Sequence, residues 1–205
     1  NAYRYPEKRD NETSLLSLDV VADLGFAELT SATGISSNET DYTRDQSDLL
    51  IGFNYGYEEF PAFSAFAVDI EEEDSFTQEV RLVSTNDSNF SWIVGAYYNN
   101  FDNDTLSSEF TPGFSEFAVE YFDAIQERPD ELEYIAPSRS ETTETALFGE
   151  LSYALTKQLS VTLGARFYEY ESTYAADADT PLYFTLYEGA APDEIVLDLQ
   201  DIIIF

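Results

Sequence analysis

Glu71, Glu72, Glu73 and Asp74 form a run of hard oxygen donors, the ligand type that calcium gathers in sets of six to eight. The run lacks the spaced Asp/Asn/Gly pattern of a formed calcium loop, so solvated charge is the plainer reading and calcium the alternative. Phe114, Phe117 and Tyr121 set three rings in one stretch, where a glycan or a flat chelate could stack, in competition with simple loop packing. Paired carboxylates can hydrolyse glycosides, but among 41 acidic residues pairs carry no information, and nothing separates an acid from a nucleophile. No residue is assigned a catalytic role, and the chain does not read as an enzyme. His, Cys and Met are all absent. Without His or Cys, the usual zinc, haem and iron–sulfur sites, the Ser-His-Asp triad and the Cys nucleophile are excluded, and no cofactor is expected.

Charge narrows the partners. Nine basic residues stand against 41 acidic ones, giving −32, and Arg81 is the sole base between Gln46 and Glu127. Polyanion binding needs a basic face, so nucleic acid is set aside. With 43% hydrophobic and 16% aromatic residues the chain is too apolar for disorder. Fifteen Tyr and sixteen Phe against one Trp favour strands. No apolar run is long enough for a transmembrane helix, so any span must be β. The opening "NAYRYPEKRD" has no apolar signal core and no initiator Met, and the chain reads as a portion of a longer one.

Period-two alternation and turn chemistry place three hairpins, about residues 14–36, 75–102 and 143–173. Long connections are expected at about 37–74, 103–142 and 174–205. The turns fall at Asp23-Leu24-Gly25, Asn86-Asp87-Ser88-Asn89 and Thr156-Lys157-Gln158. Leu16, Leu18, Val20 and Ala22 share one face in the first hairpin. Phe90, Trp92, Val94, Ala96 and Tyr98 share one in the second, as do Leu159, Val161, Leu163, Ala165 and Phe167 in the third. Glu79, Arg81, Glu150 and Arg166 fall on the opposite faces, where an Arg–Glu ladder is the expected structural role.

Short turns at one end and long loops at the other distinguish a membrane barrel from a soluble sandwich, which alternation alone does not. From Phe90 to Tyr98 a strand rises about 26 Å, or about 20 Å of bilayer when tilted by about 40°. Phe90, Trp92 and Tyr153 would form an aromatic girdle near the turns, with Tyr98 and Phe167 at the other rim. The expected fold is therefore all-β: an antiparallel up-and-down meander, part of a large transmembrane β-barrel with long extracellular loops. Glu79, Arg81, Glu150 and Arg166 would face a polar lumen.

"FTQEVRLVSTNDSNFSWIVGAYYNN" resembles a hairpin of TonB-dependent outer-membrane receptors. Their pattern is Q-E-hydrophobic-R-hydrophobic, a short turn, then F-x-W-hydrophobic-x-G-x-Y/F. "ETTETALFGELSYALTKQLSVTLGARFYEYES" is similar to the family's next hairpin, and "SLDVVADLGFAELTSATG" to the preceding one. The resemblance implies a 22-stranded barrel closed around an N-terminal plug, in the bacterial outer membrane. Such receptors import a scarce ligand such as siderophore-bound iron, haem, cobalamin or carbohydrate, driven by TonB. The implied partners are outer-membrane lipid, a small-molecule ligand that no loop motif identifies, and TonB acting through a plug not visible here. No energy-coupling box is seen, and the six visible strands are too few to close a barrel. Phe205 is a terminal aromatic, but "LQDIIIF" lacks upstream alternation. The alternative is a soluble or surface acidic β binding module, with Glu71–Asp74 as its calcium ligands.

Overall fold

A computed structural model describes residues 4–85, 88–197 and 200–204, the last five as backbone only. Asn86 and Asp87 of the expected second turn, and Phe205, lie outside the described residues. Seven strands follow one another in a single sheet: β1 (Lys8–Asp23), β2 (Ala27–Asp45), β3 (Phe66–Ser84), β4 (Phe90–Phe110), β5 (Leu132–Ala154), β6 (Ser160–Ala176) and β7 (Gln200–Ile204). Each pairs antiparallel with its chain neighbours, and β1 does not pair with β7, so the meander is an open sheet.

The first and third tight turns, whose residues are all described, form by local hydrogen bonding. Asp23 Oδ1 accepts from the Gly25 N–H at 2.7 Å, and Gly25 takes φ 83°, a region that costs glycine little. Thr156 Oγ1 accepts from the N–H groups of Gln158 and Leu159 at 3.2 and 3.1 Å.

Register gathers the expected faces into one surface. Ala22, Leu29, Leu82, Val94, Gly149 and Ala165 form one cross-strand row, and Val20, Ser31, Val80, Ala96, Leu147 and Phe167 form the next. On the turn side of these rows Trp92, Leu151 and Leu163 lie together, followed by Phe90, Tyr153 and Val161. The result is an exposed apolar belt on one face; Leu163 is 73% exposed and Phe167 76%. Its upper edge is Leu16 on β1 but Phe167 on β6, a descent of four residues over five strand steps. At ~3.3 Å per residue and ~4.8 Å between strands, the strands lean by about 30° to the normal of the belt.

The opposite face is mixed, its charged residues interleaved with Val83, Ile93, Tyr97 and Phe148, and it has one close approach. Phe148 lays its ring over Gly95, where an added Cβ would stand 2.3 Å from Phe148 Cζ. Aromatic cover of this kind supplies the apolar contact that a strand glycine lacks.

The strands run well past the expected hairpins. Residues 37–45, 66–74, 103–110, 132–142 and 174–176 are strand rather than loop, and β4 and β5 reach 21 and 23 residues. About ten would cross a bilayer. Beyond the belt both faces carry polar residues, as at Asp102-Asn103-Asp104-Thr105, so the hydrophobic period vanishes although the ladder continues.

The true connections run through residues 46–65, 111–131 and 177–197, and they carry short helices. These are α1 (Ser47–Gly52), a 3-10 turn at Tyr57–Glu59, α2 (Phe114–Tyr121), and α3 (Pro181–Tyr183) running into a π turn at Phe184–Glu188. Leu50, Tyr57, Phe63, Phe114, Leu182 and Leu186 from all three connections bury one another. This small core sits at the loop end of the sheet.

Candidate functional site

The loop-end core encloses the chemistry. A β-bulge begins the construction: Glu109 of β4 pairs with Tyr134 and Phe110 with Leu132, which leaves Glu133 as the extra residue. Bulges turn a side chain out of strict alternation, and here the Glu133 carboxyl hydrogen-bonds to that of Glu109. The Tyr57 hydroxyl donates to Glu133 Oε1 at 3.0 Å, and Gln46 Nε2 donates to Glu109 Oε1 at 3.1 Å. Beside them Arg44 Nε meets Asp69 Oδ2 at 2.8 Å, and Ser107 Oγ donates to Asp69 Oδ1 at 2.6 Å. Arg44, Asp69, Ser107 and Glu109 share the face opposite the belt, on three adjacent strands.

Burial governs the protons. Desolvation raises Glu133 to about 7, against a Tyr57 hydrogen bond that lowers it, with Glu109 raising it further. Glu109 is also raised, first by desolvation, with Arg44 opposing. Tyr57 is pushed up by burial and then by Glu133. Two adjacent, partly buried carboxylates ionise together only at a cost, so the pair retains a shared proton well above the usual carboxylate range, up to about pH 7. Both groups lie far beyond the apolar belt.

Above Glu133 opens a cavity of about 460 Å³. Tyr55 and Tyr57 line it from the first connection and Phe114 from α2. Thr180, Leu182, Tyr183, Leu186 and Tyr187 complete the wall from the third connection. The Tyr183 and Tyr187 rings are tilted against each other with centroids 5.6 Å apart.

Arg128 ties this wall to α2. Its side chain is fully buried, pairs with both Asp130 oxygens at 2.8 and 3.0 Å, and donates to Thr185 Oγ1 at 3.2 Å and the Glu194 carbonyl at 2.9 Å. Its own N–H donates to Ser115 Oγ at 2.6 Å. No pattern in the sequence marks Arg128, Glu109 or Glu133; Tyr57 and Glu133 are 76 residues apart.

The three expected stacking rings divide. Phe114 is 3% exposed, with Tyr57 at 4.5 Å between centroids, so its ring is a wall of the core. Phe117 stacks between Phe60 (4.8 Å) and Tyr121 (4.6 Å), and Tyr121 is 63% exposed. Glu71, Glu72, Glu73 and Asp74 are not brought together: they lie in β3, where successive side chains point to opposite faces. Among the described residues no group of three or more acidic side chains could hold a metal ion.

Glu79, Arg81, Glu150 and Arg166 all stand on the face opposite the belt, Arg81 in one row with Gly95, Phe148 and Arg166. The ladder is partial. Arg81 Nη1 lies 3.7 Å from Glu79 of its own strand, whereas Arg166 pairs with Glu144 and lies over the Tyr97 ring at 5.3 Å.

Comparison with known proteins adds three findings. The family described as "TonB dependent receptor-like, beta-barrel" matches residues 1–190. The ferric yersiniabactin uptake receptor FyuA from Yersinia pestis is similar in structure at TM-score 0.52 and 13% identity, over 96% of this chain and 25% of that one. The siderophore receptor PiuA from Acinetobacter baumannii is similar at TM-score 0.34 and 12% identity, over 84% of this chain and 32% of that one. The chain thus spans about a quarter to a third of the length of these structures. No curated protein sequence matches it.

Proposed function

This chain belongs to the TonB-dependent receptor β-barrel family, and from that membership we propose that it serves as one section of a bacterial outer-membrane receptor that imports a scarce small molecule. The family is one of receptors and transporters. In this reading the apolar belt meets lipid, the face of Glu79, Arg81, Glu150 and Arg166 meets a polar lumen, and the tight turns lie on the periplasmic side. The three helical connections stand outside the cell, and their cavity is the ligand contact this section contributes. Transport energy would come from TonB, acting through a plug that other parts of the receptor supply.

The carrying observation is the belt itself: one apolar face on six tilted strands, with tight turns at one end and folded loops at the other. One structural neighbour is a ferric yersiniabactin uptake receptor, which favours an iron-bearing ligand such as siderophore-bound iron, and carbohydrate remains a second class for stacking rings. No observation favours the calcium alternative, since its four acids alternate between faces.

The test is fractionation and uptake in a bacterium carrying the complete receptor. Recovery in the outer-membrane fraction, together with uptake that stops when TonB is deleted, is the expected result. A receptor recovered in a soluble fraction would overturn the reading.

A further inference from the structure

We propose that the loop-end cavity selects an organic cation, its positive charge against the Glu133 carboxyl and its apolar body among tyrosine rings. The proposal deepens the receptor reading and rests on it. Five rings line the cavity, those of Tyr55, Tyr57, Phe114, Tyr183 and Tyr187, and Glu133 is the one charged side chain in its lining. Ring faces attract a cation within about 6 Å of their centroids, and an aromatic box closed by a carboxylate suits an alkylated ammonium that needs no directional hydrogen bond. The 460 Å³ cavity leaves space for a body larger than the charged head.

Among the described residues no cationic side chain lines the cavity. Arg44, the base that acts on Glu109, is held by Asp69 at 2.8 Å. Arg128 is held by Asp130, Thr185 and the Glu194 carbonyl. A ligand of net negative charge would meet Glu133 in the cavity and a chain of −32 around it. The tyrosine walls therefore distinguish this site from one built for an anionic chelate.

Proton linkage follows from the arrangement. Glu133 is faced by Tyr57 from the 3-10 turn and by Glu109 from β4. Arg44 of β2 and Asp69 of β3 act on Glu109, and Tyr187 acts on Tyr57. A cation entering the cavity favours the ionised pair, so the shared proton leaves to solvent and affinity rises as pH rises through about 7.

The experiment is calorimetry on the complete receptor in detergent micelles, with choline and its neutral isostere 3,3-dimethyl-1-butanol as probes. Choline is expected to bind at least tenfold more tightly at pH 8, and several-fold more weakly at pH 6. In Glu133→Gln the preference and the pH dependence should both disappear. Tyr183→Ala removes a half-exposed ring outside the core cluster, so it tests the wall without the acid pair; it should weaken choline more than the alcohol. Equal affinity for the two probes, binding of neither, or an unchanged preference in both variants overturns the cation site. That outcome is separable from failure of the receptor reading, which membrane fractionation and TonB dependence decide.

Discussion

Near its tight turn β4 presents Phe90, Trp92, Val94, Ala96 and Tyr98 on one face and Ile93, Gly95 and Tyr97 on the other. Further along, the same strand carries Asp102, Asn103, Asp104 and Thr105, polar on both faces, and then ends beneath a packed aromatic core. In the proposed membrane setting the turn end would keep its order by what surrounds it: its apolar face is exposed and little packs on it, so lipid would be its solvent. The loop end keeps its order by side-chain packing, as a soluble domain does. One sheet thus uses two ways of burying apolar surface, and they respond to different perturbations.

The largest expected effect separates the two ends. Leu163→Arg, in the belt, should cost about 2–4 kcal/mol and impair assembly into bilayers, whereas Thr162→Arg, one residue away on the opposite face, should be near neutral. Urea titration of the receptor folded into vesicles measures both. Equal costs would show that the belt does not meet lipid.

Arg128→Met reverses the test by attacking only the loop end. It strands Asp130, which is partly exposed, and removes the bonds to Thr185 and the Glu194 carbonyl. A loss of about 2–3 kcal/mol confined to the connections is expected. It would appear as faster proteolysis within 111–131 and 177–197, with membrane assembly unchanged.

Gly95→Ala probes the inner face between the two ends. The new methyl would collide with Phe148, whose ring must swing away, at about 1–3 kcal/mol. Gly95→Ala combined with Phe148→Ala should recover part of that loss in the same titration.

A pH series sharpens the loop-end picture. Glu133 holds its proton more tightly folded than unfolded, so the folded loops bind more protons between pH 4.5 and about 7. Their stability is full below that window and falls as pH rises through it, by about 1–2 kcal/mol after allowing for partial exposure. Glu133→Gln should flatten the dependence, followed by amide exchange at Tyr57 and Phe114.

The smallest effect concerns the strands between belt and loops. Asp74, Asp102 and Glu141 lie side by side across β3, β4 and β5, as do Glu72 and Asp104. Neighbouring like charges repel, so raising salt should stabilise this zone by about 0.5 kcal/mol, seen as slower amide exchange there and unchanged exchange in the belt.

How much the residues reveal in advance also follows the boundary. The belt hairpins, the turns at Asp23–Gly25 and Thr156–Gln158, and the placement of Glu79, Arg81, Glu150 and Arg166 on the face opposite the belt are legible, because a one-sided apolar face imposes a period of two. The strand extensions are not, since Glu71 to Asp74 and Asp102 to Thr105 read as loop when both faces are wet. Phe114 shows a ring in the sequence but not that Tyr57 and Phe63 bury it. The Glu109–Glu133 pair depends on a bulge and on a tyrosine 76 residues away, neither of which has a local signature.

The length of the strands has a consequence for where binding happens. From Leu147, the last belt residue of β5, the chain climbs to Glu133 over about 46 Å at ~3.3 Å per residue, a height of about 35–40 Å once tilted. The Debye length at physiological ionic strength is about 8 Å, so the lipid phosphates are screened out several times over at that height. In the proposed receptor Glu133 would therefore sense the acidity and ions of the surrounding medium rather than those of the membrane surface, and a ligand would be met in open water before it reached the charged layer below.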